Sequence, residues 1–219
     1  MRFLVREQSY ETPIASGRLR YSLGDVATGA LENWRLNNAV DGYQRLRIDW
    51  DGRRAPGGDS YLYHLLLNPA GQPERLTFRF WGGAGHKVEG NLFFEADQII
   101  CGRTINGDRA EDVALERPEP LLWWFPAAAS MSTFGQLSSA EYSGMHLDKN
   151  ADLALRALPV KVELGPIEEM KVMNRVVQTQ IRTIRWADQK RTIWFDDHNW
   201  PIKMQDDQMT AAEIRYVRR

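Results

Sequence analysis

The stretch that decides the fold is Arg45-Leu46-Arg47-Ile48-Asp49-Trp50, in which charged and apolar residues alternate strictly. Successive side chains of a β-strand point to opposite faces, so this pattern predicts a strand with one apolar and one charged face. The alternation returns in Arg75-Leu76-Thr77-Phe78-Arg79-Phe80 and, more weakly, around Ile214 and Tyr216. Strands of this kind are typical of an antiparallel sheet with one face in water.

Turn-forming residue pairs separate these segments, for example Asp41-Gly42, Asp51-Gly52 and Asn106-Gly107. Such pairs favour the positive φ values of tight hairpins, and early in the chain they recur about every 10 residues, as in a sandwich or barrel. Helices are expected only as short pieces, at Asp108–Leu115 and within Pro126–Thr133 or Ser138–Tyr142. The sequence therefore predicts one all-β, mainly antiparallel domain over residues 1–219. Its architecture is a curved sheet, a spiral β-roll or an open barrel with one or two short helices.

Two segments suggest an internal repeat. Residues Leu67–Leu76 and Phe195–Met204 share an Asn or Asp, a short turn, a Gly or Asn, and then a Pro that starts the return strand. The acidic or amide side chain opens such a turn with a hydrogen bond, and Gly or Asn tolerates the left-handed conformation. A duplicated β unit would place related sheets at 30–105 and 160–219. The alternative is two unrelated hairpins that use the same turn chemistry.

An aromatic-rich insert at 117–144 interrupts the strand pattern. It holds three prolines and the run Leu121-Leu122-Trp123-Trp124-Phe125, followed by Met131 and Phe134. Five consecutive large apolar residues cannot all lie on one face of a strand. They must be buried on both sides, or some of them must face a cavity or a partner. Burying each such side chain is worth about 1.5–3 kcal/mol.

Composition excludes several classes of protein. The 28 Lys and Arg residues against 29 Asp and Glu give a net charge of −1, which argues against a nucleic-acid partner. The single cysteine, Cys101, cannot form an internal disulfide,. No stretch approaches the ~18 apolar residues of a membrane helix, and the apolar run Phe3-Leu4-Val5 is shorter than the ~7–15 residues of a signal-peptide core. These features predict a cytoplasmic protein without an integral membrane segment.

No catalytic or metal-binding motif is present. The four histidines His64, His86, His146 and His198 lie far apart and outside the usual metal-ligand spacings,, so we expect no metal site and no cofactor. His86 follows the glycine-rich stretch 82–85, where a backbone can approach a ligand closely, although an ordinary hairpin loop explains the same residues. Glu32 and Trp34 share one face of a predicted strand. Together they could recognise a polar headgroup or lie at the edge of the core.

The chain resembles the bacterial glycolipid-binding family that has a spiral β-roll fold. The resemblance covers about two thirds of the chain and rests on Glu32-Asn33-Trp34-Arg35-Leu36 followed by Asp41-Gly42, on the two proline-containing hairpins, and on Thr192-Ile193-Trp194-Phe195-Asp196 before Trp200-Pro201. The first 25 or so residues and the aromatic insert have no counterpart. The resemblance implies a curved sheet whose concave side holds an acyl chain or another amphiphile, and it implies no catalytic residue.

These observations favour non-catalytic binding of a lipid, glycolipid or other amphiphile in an aromatic-lined cavity. The predicted ligand-binding residues are Glu32, Trp34, Trp81, His86, Trp123, Trp124, Phe125, Met131 and Phe134. One alternative is an interaction protein whose apolar segment Leu121–Phe134 is an exposed interface, for instance in a homo-oligomer. A second alternative is a hydrolase or isomerase of a hydrophobic substrate, with His86, His146, Glu32 and Glu141 as its polar groups.

Overall fold

The structure is a computed structural model, and it describes residues 7–218. Its strands are β1 (Thr12–Leu23), β2 (Val26–Asn38), β3 (Gln44–Asp51), β4 (Ser60–Leu67), β5 (Pro73–Trp81), β6 (Lys87–Phe94), β7 (Gln98–Ile105), β8 (Asp108–Arg109), β9 (Val113–Glu116), β10 (Leu122–Trp124), β11 (Ala140–Asp148), β12 (Ala154–Val172), β13 (Arg175–Trp186), β14 (Gln189–Phe195), β15 (Pro201–Gln205) and β16 (Met209–Arg218). The apolar run at residues 3–5, on which the signal-peptide argument depends, lies outside the described residues.

All sixteen strands belong to one curved sheet. Its order is β10-β11-β12-β13-β14-β15-β16-β1-β2-β3-β4-β5-β6-β7-β8, and β9 also pairs with β7. The strand pairs are antiparallel except for β10 with β11, which is parallel among the described strands. Strands β1 and β16 pair in the middle of the order. The predicted all-β, mainly antiparallel curved sheet is confirmed.

The alternating sequence accounts for the two faces of the sheet. Leu46 and Ile48 on β3 are 3% and 0% exposed and face the interior, as do Leu76 and Phe78 on β5. The charged residues between them lie on the outer face. Because the apolar sides of the long strands face the same way, the curved sheet encloses one continuous core,.

The sheet curls towards a barrel without closing into a continuous ladder. Side chains tie its two halves together at one end, which we call the lower end: the Nε2 of His86 lies 2.8 Å from Asp152 Oδ1, and the Nζ of Lys149 lies 2.7 Å from Asp59 Oδ2. Arg103 Nη1 donates to the carbonyl of Asp152 at 2.7 Å. These contacts bridge the seam where, among the described strands, no hydrogen-bonded ladder runs.

The helix predictions were correct at one of the three positions. The segment Ala128–Gln136 is a 3-10 helix of nine residues. The predicted helix at Asp108–Leu115 was wrong, because Asn106 and Gly107 adopt positive φ values and turn the chain into the short strands β8 and β9. Ser138–Tyr142 leads into strand β11 and is not helical.

The two hairpins singled out in the sequence have the same geometry, and both lie at the upper end of the sheet. In each, one side-chain oxygen accepts two backbone N–H groups: Asn68 Oδ1 from Ala70 and Gln72 (both 3.0 Å), and Asp196 Oδ1 from His198 (3.0 Å) and Trp200 (2.8 Å). Each turn has one residue at positive φ, and each return strand begins with a proline. This is the arrangement that a duplicated unit requires, and the duplication itself stays a prediction.

No helix within residues 7–218 is both long enough and apolar enough to cross a bilayer.

Candidate ligand-binding site

The aromatic insert passes through the interior of the curved sheet. Leu122 to Phe125 are 1–6% exposed, and Met131 and Phe134 are 0% exposed. Strand β10 pairs with β11 at one edge of the sheet, and the 3-10 helix follows it. The segment Leu121–Phe134 is therefore not an exposed interface in the folded chain, and that alternative was wrong because these side chains pack against the chain's own core.

Glu32 holds the start of the 3-10 helix. Its carboxylate accepts the backbone N–H groups of Ala128 (2.8 Å) and Ala129 (2.7 Å) and the hydroxyl of Tyr21. Burial is the largest influence and raises the pKa of Glu32, while the three donors act in the opposite direction. Glu32 is 0% exposed and its oxygens already have partners within the chain, so it anchors the insert to β2.

Aromatic rings fill the middle of the interior. Trp124 stacks on His146, with ring centres 5.0 Å apart, and meets Phe134 and Trp186 edge-on. Phe125 stacks on Tyr63 at 4.0 Å. Burial among these rings lowers the pKa of His146 to about 4, so the imidazole is neutral at physiological pH. The packing leaves this region occupied by the protein's own side chains.

A cavity of about 390 Å³ opens at the upper end of the sheet, between the insert and the two matching hairpins. Much of its wall is apolar, and polar groups lie along its rim. The residues that line it are Leu36, Leu46, Leu65, Leu67, Gly71, Gln72, Pro73, Arg117, Glu119, Pro120, Leu121, Trp123, Ser132, Thr133, Gln136, His198, Asn199 and Trp200. The volume lies within the range of about 300–1,000 Å³ typical of small-molecule sites.

The hairpins hold the cavity wall in place. The backbone N–H of Trp200 donates to Asp196, and its ring stacks on that of Trp34 at 4.0 Å. The 3-10 helix packs so closely on this hairpin that a Cβ atom on Gly135 would lie 2.4 Å from the Cβ of Asn199. The sheet, the helix and the hairpin therefore pack together as one wall of the cavity.

The predicted site residues fall into three groups. Trp123 lines the cavity, and Trp34 lies directly behind Trp200. Glu32, Trp124, Phe125, Met131 and Phe134 are buried in the packed interior. Trp81 ends β5 and His86 contacts Asp152, so both lie at the lower end, away from the cavity.

Sequence reasoning missed most of the cavity wall. In the sequence, the four leucines at 36, 46, 65 and 67 look like ordinary inward-facing core positions. They border a cavity because they lie near the upper ends of their strands, where the packed interior stops. Trp200 and Gln72 belong to the repeated hairpins, so the repeat was a signal for this end of the molecule in addition to Trp123 of the insert. Arg117 lies at the start of the insert and belongs to no recognisable motif, so the sequence did not mark it as a site residue.

The polar groups proposed for an enzyme occupy separate environments. His86 lies at the lower end against Asp152, His146 is stacked in the interior, Glu32 is bound to the 3-10 helix, and Glu141 is exposed on β11. None of the four lines the cavity at the upper end. General acid–base catalysis needs such groups within hydrogen-bond reach of one substrate, and this arrangement does not bring these four together.

One group of side chains within residues 7–218 is close enough to share a cation. Ligand atoms of Asp196, Asp197 and His198 lie within 4.8 Å of one another. Asp196 uses Oδ1 for the turn, and His198 Nδ1 lies 2.5 Å from Asp197 Oδ1. Turn chemistry and a contact between two exposed neighbouring side chains account for this group.

Comparison with solved structures shows a related fold. A β-barrel-like protein from Brucella abortus, with a domain of unknown function named DUF1849, is similar with a TM-score of 0.64 and 13% identity over 94% of this chain and 98% of that chain. A DUF1089 family protein from Pseudomonas aeruginosa has a TM-score of 0.45 and 10% identity over 92% and 95% of the two chains. No protein-family model and no curated protein matches the sequence. The first likeness establishes a β-barrel-like fold.

Proposed function

We propose that this protein binds a lipid, glycolipid or other small amphiphile without chemical change, with the apolar part of the ligand in the cavity at the upper end. The observation that carries the proposal is the cavity itself: it is bordered by five leucines and two tryptophans, while aromatic side chains pack against one another in the middle of the interior. The resemblance to the glycolipid-binding family favours the same class of ligand.

The wall suits an apolar chain better than a polar metabolite. Leu46 and Leu65 are 3% and 2% exposed and lie at its inner part. Removing apolar surface from water contributes about 25 cal/mol per Å², so an alkyl chain gains affinity along this wall. The hydroxyl and amide groups of Ser132, Gln136 and Asn199 then lie where a headgroup would meet water. A site of this kind is mostly apolar with a few placed polar groups.

The first test uses the protein purified from its own host. Native mass spectrometry, followed by denaturation and extraction into organic solvent, is expected to release an amphiphile that accompanies the folded protein. Decanol added to the protein emptied of ligand is expected to change the total tryptophan fluorescence, because Trp123 and Trp200 line the cavity. Absence of both a released ligand and a decanol response would overturn the proposal.

A substitution in the wall tests the location. Leu36 is half-buried on β2 and borders the cavity, so Leu36→Phe places a larger side chain in the space that the ligand needs. We expect decanol affinity to fall about tenfold, because overfilling a packed site is costly. The measurement is a fluorescence titration of both proteins.

The matched control is Leu158→Phe, which makes the same change at a half-buried leucine of β12 that packs on the core outside the cavity. It is expected to bind decanol as the unmodified protein does. Equal affinity of the Leu36→Phe variant and this control would exclude the upper-end cavity as the site.

A further inference from the structure

We propose that the ligand carries a negatively charged headgroup, which Arg117 binds at the rim of the cavity while the apolar tail lies along the leucine wall. The inference rests on the proposed function, since it names the class of amphiphile that the same cavity accepts. The shared chemistry is a single oxyanion, a carboxylate or a phosphate, on an alkyl chain.

Arg117 is held in one position by the turn between β6 and β7. Its backbone N–H donates to the carbonyl of Asp97 at 2.8 Å, and its Nη1 donates to the carbonyl of Glu95 at 2.9 Å. Its side chain is only 11% exposed and lines the cavity. A guanidinium fixed in this way loses little conformational freedom when a ligand binds.

Within the part of the chain that the structure describes, the positive charge of Arg117 has one loose ion pair, which is too long for a hydrogen bond. Its Nε is buried without a hydrogen-bond partner. The one described carboxylate within 4.0 Å is Glu119, whose Oε1 lies 3.8 Å from Nε, beyond hydrogen-bond distance. The Glu119 side chain is 79% exposed, so water competes strongly for it,.

A buried charge is costly unless it is paired and hydrogen-bonded. An oxyanion beside the guanidinium would supply the opposite charge, and the planar fork of arginine matches carboxylates and phosphates. The apolar wall begins beside this group, at Leu67 and Leu121. The charged headgroup of the ligand would therefore lie at the rim beside Arg117, and its apolar tail would continue from there along the leucines.

Three ligands with the same ten-carbon chain test the headgroup on the unmodified protein: decanoate, decyl phosphate and decanol, titrated by tryptophan fluorescence. We expect one or both anions to bind about tenfold or more tightly than decanol, the range of a charge-assisted hydrogen bond. Which anion binds more tightly identifies the headgroup as carboxylate or phosphate.

Substitutions at the rim are expected to act in opposite directions. Arg117→Gln should lower the affinity for the anions about tenfold more than it lowers the affinity for decanol, while Arg117→Lys keeps the charge and retains part of the affinity for the anions. Glu119→Gln removes a repulsive carboxylate and should raise the affinity for the anions. Thermal unfolding of each variant confirms that the fold is intact.

The outcomes separate this inference from the proposed function. If decanol and the anions bind equally to the unmodified protein, the headgroup inference is overturned while amphiphile binding stands. If Arg117→Gln lowers the affinity for decanol as much as the affinity for decanoate, Arg117 shapes the cavity and does not bind the headgroup. If none of the three ligands binds, both proposals fail.

Discussion

At the scale of single residues, buried carboxylates organise the two surfaces of the sheet. Glu32 on the inner face binds the first amides of the 3-10 helix, which lie almost a hundred residues later in the chain. Glu11, just before β1, binds the guanidinium of Arg47 through both oxygens on the outer face. Each carboxylate therefore joins segments that are distant in sequence and whose contact the strand pattern does not predict.

Replacing Glu32 tests its structural role. In Glu32→Gln, one oxygen becomes an amide NH₂ group, so one of the helix amides at Ala128 or Ala129 loses its acceptor inside the protein. The free energy of unfolding is expected to fall by about 1–3 kcal/mol, the cost of an unsatisfied buried donor. Urea denaturation at pH 7 measures it. The same substitution at the exposed Glu141 serves as control, and equal stability of the two variants would contradict the role of Glu32.

The Glu11–Arg47 pair predicts acid sensitivity. The hydrogen bond and charge of Arg47 lower the pKa of Glu11 from 4.5 to about 2. A carboxyl group with a depressed folded-state pKa stabilises the fold above its unfolded pKa, and this contribution disappears as the pH falls from 4.5 towards 2. We expect a loss of about 2–3 kcal/mol over this window.

Urea denaturation at several pH values between 2 and 6 measures this loss. The variant Glu11→Gln is expected to be less stable than the unmodified protein at pH 6 and to show a smaller change across the window. An unchanged pH profile in the variant would assign the acid sensitivity to other carboxyl groups.

At the scale of elements, the repeated hairpins depend on a single side-chain oxygen each. Asn68→Ala removes the acceptor for the N–H groups of Ala70 and Gln72, so we expect a loss of about 1 kcal/mol in unfolding free energy. Asn68→Asp keeps the acceptor that the matching turn has in Asp196, and stability should be retained. Urea denaturation of the two variants is the measurement. Similar losses in both would show that the turn does not depend on this oxygen.

The strands could be predicted from the sequence because their signal is local. Leu46 and Ile48 alternate with charged residues, and Asn68 and Asp196 open recognisable turns. The place of the insert could not be predicted, since Trp123 and Trp124 fit a wall, a lid or an interface equally well. The bonds from Ala128 and Ala129 to Glu32 join distant segments, and no local pattern marks such partners.

At the scale of the whole molecule, the curved sheet and the insert together determine where a ligand can bind. Rings on the insert fill the middle of the interior, and polar contacts of His86 and Arg103 bridge the lower end of the seam. Among the described residues, the cavity bordered by the insert lies at the upper end, beside the two hairpins. The sequence predicted an aromatic-lined site, whereas the cavity wall holds five leucines and two tryptophans, because most of the predicted aromatic residues pack in the interior.

The pairing of β1 with β16 has a consequence for how the protein is made. The two strands come from opposite ends of the described chain, yet they occupy the middle of the sheet. Most of each half of the sheet can form by hairpins between neighbouring strands, while the ladder that joins the halves must wait until the ribosome has released β16. Contacts so distant in sequence form slowly. During synthesis β1 therefore exposes an unpaired edge, and that edge is where a chaperone or an aggregating neighbour would first meet this chain.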